Sequence, residues 1–83
     1  MKLTVKYFAS IREAIGQPVE AVQTSAATVG ALRDELISRG GAHAQSLARG
    51  KAVRAAVNQV MGEEDTPLAE GCEVAFFPPV TGG

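Results

Sequence analysis

The residues with the clearest chemical potential stand at the end of the sequence, in CEVAFFPPVTGG at 72–83. Gly82 and Gly83 carry no side chains, so they fit a channel too narrow for other residues and leave an expected carboxylate on Gly83 sterically open. Such a carboxylate has a pKa of about 3.3–3.7 and is anionic at neutral pH, which makes it a poor electrophile. It reacts only after conversion to a better acyl species, such as a mixed anhydride with AMP. The sequence has neither G-x-x-x-x-G-K-[ST] nor G-x-G-x-x-G, so an activating enzyme that uses ATP must be a separate protein. Pro78 and Pro79 fix two successive φ angles and remove two amide donors, ending a strand and starting a polyproline-like spacer. At ~3.1 Å per residue, the run Pro78, Pro79, Val80, Thr81, Gly82, Gly83 reaches roughly 19 Å, enough to enter a partner's active site.

The other chemistry-bearing residues do not assemble into a site. Cys72 opens the last strand without an adjacent histidine; it reads as a small part-buried hydrophobe, with persulfide carriage as the alternative. His43 is the only histidine and reads as a loop residue, which leaves neither a histidine metal cluster nor a Ser-His-Asp arrangement. Glu63-Glu64-Asp65 reads as a solvated loop, since a hard metal needs more ligands at defined positions. No intrinsic cofactor is expected.

Composition narrows the class further. A chain of 83 residues, nearly half of them hydrophobic, makes one domain with a core and little room for an internal active site. The net charge is −1 with no basic run, which excludes a nucleic-acid footprint. No stretch approaches the roughly 20 apolar residues of a membrane span. The alternating start MKLTVKYFAS is unlike a secretory h-region, and one cysteine forms no internal disulfide, so a cytoplasmic location is expected.

The elements that must position the tail follow from periodicity. Residues 2–8 alternate, with Leu3, Val5 and Tyr7 on one face and Lys2, Thr4, Lys6 and Phe8 on the other. Ser10 and Glu13 have the spacing of a capping box before a short helix carrying Ile11 and Ile15 that ends at Gly16. Residues 19–24 form a weaker strand. Thr28 caps the main helix over roughly 29–39, whose apolar stripe is Val29, Leu32, Leu36 and Ile37, with Glu35 and Arg39 paired on its surface. Residues 42–49 read as irregular or briefly helical. Strands follow over 52–58, briefly at Val60-Met61 after a bend at Asn58-Gln59, and over 72–77 after a turn at Glu70-Gly71. This order predicts an α+β domain over 1–77, a mixed sheet curled across one main helix, with a flexible tail over 78–83.

Parity places two aromatics on the outer face of that sheet. Val74 and Phe76 pair inward, leaving Phe77 outside, as Phe8 is in the first strand. If those two strands are parallel neighbours, Phe8 and Phe77 meet at one edge where the tail departs; a bulge or the short helix covering them is the alternative. Exposed together, and joined by Met61, they form an interaction patch. Burying these three side chains returns about 1.5–3 kcal/mol each. Ordering the tail costs about 1–2 kcal/mol per residue, so the two effects are comparable.

The runs AAVNQ at 55–59 and DTPLAEGCEVAFFPPVTGG at 65–83, with KLTVKYFASIREAIG and TVGALRDEL, resemble the small sulfur-carrier subunits of molybdopterin synthase across essentially the whole chain. The resemblance implies a β-grasp, ubiquitin-like fold. It implies that Gly83 is adenylated by an ATP-dependent enzyme, converted to a thiocarboxylate, and inserted into the large synthase subunit. There sulfur passes to a pyranopterin precursor to build the dithiolene, within a heterotetramer of two carriers and two large subunits. The carrier then has no catalytic groups beyond Gly83 itself. Phe8, Met61 and Phe77 fall where the family has apolar partner contacts, and Pro78–Gly82 form the inserted arm. Cys72 departs from the polar turn residue common there. The alternatives are a ubiquitin-like protein modifier, a carrier of another pathway of the thiamine type, and a plain interaction module.

Overall fold

The strict alternation of residues 2–7 becomes strand β1 (Lys2–Tyr7), in which Leu3, Val5 and Tyr7 are buried. The computed structural model describes residues 1–79. After β1 come α1 (Ala9–Ile15), β2 (Val19–Gln23), α2 (Val29–Ile37), α3 (Gly41–Leu47), β3 (Arg54–Val57), β4 (Val60–Gly62) and β5 (Glu73–Phe77). The strands form one mixed sheet in the order β2-β1-β5-β3-β4. β1 and β5 are parallel at its centre, and the β1–β2, β3–β5 and β3–β4 pairs are antiparallel.

One face of this sheet packs on α2. The stripe Val29, Leu32 and Leu36 meets Leu3, Val5, Tyr7, Val22, Val74 and Phe76 in a single core, which also takes in Ile11, Leu47 and Cys72. Fully burying one of these large side chains contributes about 1.5–3 kcal/mol. Thr28 caps α2 as expected, its Oγ1 accepting from the Ala31 amide at 3.2 Å. Gly30, in the first turn, gives the loop between β4 and β5 room: a Cβ there would lie 2.8 Å from Glu64 Oε1 and 3.1 Å from the Glu64 carbonyl oxygen. Gly16 ends α1 with φ 89°, its amide donating to the Arg12 carbonyl.

Several local expectations are corrected. Ser10 caps nothing. Ala9 adopts φ 52°, which turns the chain from β1 straight into α1, so the Phe8 carbonyl receives the Ile11 and Arg12 amides at 3.2 and 3.3 Å. His43 lies on α3, not in a loop. Arg39 lies just beyond α2 and pairs with Glu20 of β2 rather than with Glu35, the Glu20 carboxylate being already held in place by Tyr7 and His43. Glu64 is not simply solvated; it pairs with Arg49 and stands 3.6 Å from Arg33.

Arg33 explains why α3 forms without an apolar stripe. It lies within the buried stripe of α2, 5% exposed. Its guanidinium donates to the Leu47, Ala48 and Lys51 carbonyls at 2.8, 2.7 and 3.1 Å, satisfying the open C-terminal end of α3 and the turn beyond it.

Candidate functional site

The parallel pairing of β1 and β5 builds the site. The register runs Thr4–Glu73, Val5–Val74, Lys6–Ala75 and Tyr7–Phe76, and the ladder continues as the Phe8 amide donates to the Phe76 carbonyl at 3.1 Å. Phe8 and Phe77 therefore end adjacent strands side by side, one residue before Pro78. Phe8 is exposed at 45%, so neither a bulge nor α1 covers it, while Phe77, Pro78 and Pro79 are half-buried. Phe77 is thus less open than parity alone implies. Met61, 57% exposed, lies one row inward and two strands away, in the row Lys6–Ala75–Ala56–Met61. Ala75 and Ala56, only 7% and 8% exposed, form the small-residue floor between them. Val80, Thr81, Gly82 and Gly83 lie outside the described residues.

Nothing else among the described residues assembles chemistry. Cys72 is buried at 5% in the core, as its packing role requires. No group of three or more His, Cys, Asp or Glu side chains is placed to hold a metal there. The clefts of the surface, one lined by Val29, Arg33, Glu63 and Phe76 and another by Glu20, Gln23, Glu35 and Arg39, contain no nucleophile beside a base. No described helix is long and apolar enough to cross a membrane.

Two polar clusters that sequence reasoning missed hold the frame of the site. Glu20 accepts from the Tyr7 hydroxyl at 2.8 Å, lies 3.2 Å from His43 Nε2, and pairs with Arg39. Burial alone would raise the Glu20 pKa, but hydrogen bonds from Tyr7, His43 and Arg39, with the Arg39 charge, outweigh it and bring the carboxyl below its ordinary value. Burial, then the bond to Glu20 and its charge, push the Tyr7 phenol well above the usual range. The second cluster is Arg49, which donates to Asp34 at 2.9 Å, to the Gly30 carbonyl at 3.0 Å and to Glu64. The hydrogen bond from Arg49 holds the Asp34 carboxyl below its ordinary value. The one available signal was Arg33, a charged residue inside the apolar stripe of α2.

A mixed five-stranded sheet in this order, curled over one principal helix with an apolar outer edge beside its C-terminal strand, defines a β-grasp domain of the ubiquitin-like type. The sequence pattern of the ThiS family matches residues 5–83, and the chain belongs to that family. A relative from Escherichia coli (strain K12), named molybdopterin synthase sulfur carrier subunit, is 44% identical over 98% of this chain and 99% of its own length. Among solved structures, a Pyrococcus furiosus protein assigned as molybdopterin converting factor subunit 1 superposes with TM-score 0.79 at 30% identity, covering 96% of this chain and 99% of that one. The small archaeal modifier protein SAMP1 of Haloferax volcanii superposes with TM-score 0.78 at 28% identity over the whole of both chains. The chain groups with the molybdopterin synthase sulfur carrier subunits, as the resemblance implied.

Proposed function

We propose that this chain is the sulfur carrier subunit of a molybdopterin synthase and that the Gly83 carboxylate is its reactive group. An activating enzyme joins that carboxylate to the α-phosphorus of ATP, releasing pyrophosphate. A sulfur nucleophile then displaces AMP, and the terminus becomes a thiocarboxylate. The arm Pro78–Gly82 carries it into the large subunit, where the sulfur is delivered to a pyranopterin precursor. Phe8, Met61 and Phe77 dock the domain so that the arm enters in register, two carriers flanking a dimer of large subunits. The chain contributes no general acid or base; its chemistry is its own terminus.

The observation that supports this most directly is the parallel register of β1 and β5, which sets two phenylalanines immediately before the Pro78-Pro79 start of a segment whose sequence ends in Gly82-Gly83. Intact mass spectrometry after co-expression with the activating enzyme and a sulfur source tests it. The expected result is a C-terminal peptide heavier by the replacement of one oxygen with one sulfur. A chain that binds the large subunit normally yet never acquires sulfur at Gly83 overturns the reading.

The likeness to an archaeal modifier favours a second reading, in which Gly83 forms isopeptide bonds to lysines. Higher-mass conjugates in cell extracts, absent from a strain whose chain lacks Gly83, would support it.

A further inference from the structure

The outer face of the sheet is not only apolar; it is positively charged, against the sign of the whole chain. Its register rows place Lys2, Lys6 and Arg54 on that face with a single carboxylate, Glu73. Three of the eight lysines and arginines but one of the nine acidic residues therefore stand there, in a chain of net charge −1. Lys6 and Glu73 neutralise each other at 3.2 Å. Arg54 and Lys2 are exposed and make no ion pair among the described residues, although the Glu70 carboxylate stands beside Lys2 and accepts from its backbone amide at 3.0 Å. Arg54 is the cross-strand partner of Phe77, at the root of the arm. Glu64 of the acidic loop turns to the helix side, where its carbonyl accepts from the Gly30 amide at 2.8 Å and its carboxylate pairs with Arg49, while Glu63 lines a cleft with Arg54 but forms no ion pair with it. Apolar floor and cationic rim thus share the strand rows of one face, whose own carboxylate, Glu73, is already paired with Lys6.

Building on the docking role proposed above, we infer that the large-subunit surface receiving this face is apolar at its centre and edged with carboxylates, with Arg54 as the principal rim cation. A second copy of this chain is the wrong occupant, since the face would meet its own positive charge. Rim charges of this kind act on the rate of encounter and its salt dependence more than on the lifetime of the complex. Burial of the apolar centre governs dissociation instead. The two parts of the face therefore have separable kinetic signatures.

The test measures association and dissociation rates between the full chain and the large synthase subunit of the same organism across a range of ionic strength. The association rate is expected to fall with salt. At low salt Arg54→Lys should leave it unchanged, Arg54→Gln should lower it, and Arg54→Glu should lower it most, by about tenfold, with dissociation little altered. At about 1 M salt, where the Debye length is about 3 Å, the variants should converge. Phe77→Asp should instead accelerate dissociation. A salt-independent rate, or one that ignores the charge at position 54 while Phe77→Asp still weakens binding, overturns the acidic rim and leaves the docking role standing. Failure of the unaltered chain to bind the large subunit overturns both. Sedimentation of the free chain should show a monomer, and a dimer dispersed by Phe77→Asp would assign the face to self-association instead.

Discussion

Tyr7 holds two roles in one side chain. Its ring fills the core at 1% exposure, and its hydroxyl reaches Glu20 Oε2 at 2.8 Å. The alternation of β1 made the first role legible, but not the second. The acceptor lies in a short strand whose two valines, Val19 and Val22, have opposite parity, so the sequence does not mark which way Glu20 faces. Tyr7→Phe keeps the ring and removes the donor, leaving Glu20 with His43 and Arg39. Because the acceptor is an ionised carboxylate with little access to water, the expected loss is about 1–2 kcal/mol. Urea unfolding should show a lower midpoint at an unchanged m-value. An unchanged midpoint would mean that water or the remaining partners replace the hydroxyl at no cost.

At the scale of elements, the sequence was readable wherever packing follows period. β1 buries one regular face, α2 buries its apolar stripe, β5 turns Val74 and Phe76 inward, and the parity of β1 and β5 correctly set Phe8 and Phe77 at one edge. It failed where a tertiary contact replaces a local signal. The start of α1 depends on the left-handed Ala9 rather than on the Ser10 hydroxyl, and α3 depends on a guanidinium donated from α2. The Glu20 cluster belongs to the same class, joining β1, β2, α3 and the end of α2 through one carboxylate. Its pH dependence follows from the direction of the Glu20 shift. The folded-state pKa lies below the ordinary 4.5, so the unfolded chain binds the proton more tightly. The resulting stability is fully present above that value and is lost as pH falls through the lower folded pKa. Asp34, shifted the same way, adds to the acid-side loss. Glu20→Gln should be less stable than the unaltered chain at neutral pH and should lose less on acidification. Unfolding midpoints taken from about pH 7 down to about pH 3 check this, and parallel curves for the two proteins would remove Glu20 from the account.

At the scale of the whole molecule, the proposed function requires the folded domain to be separable from the reacting terminus. Among the described residues, the core runs from Leu3 to Phe76 and the five strands end at Phe77. Among the described residues, the last backbone ladder on β5 is the Arg54–Phe77 pair, and Pro78 and Pro79 add no strand to the sheet. A chain ending at Pro79 should therefore keep its unfolding free energy within about 0.5 kcal/mol, the range usual for changes away from core and caps. It should retain the docking face, because Phe8, Met61, Phe77 and Arg54 all remain. Such a chain would occupy the large subunit without delivering a reactive terminus. Mixed with sulfur-loaded carrier, it should slow sulfur transfer in proportion to its share of the bound carriers, and excess loaded carrier should restore the rate. Its affinity should be lower than that of the full chain by whatever the arm contributes inside the partner. If truncation instead unfolds the domain, the arm belongs to the fold rather than to the chemistry. If the truncated chain folds but does not compete, docking rests on the arm alone, and the two phenylalanines at its root need another explanation.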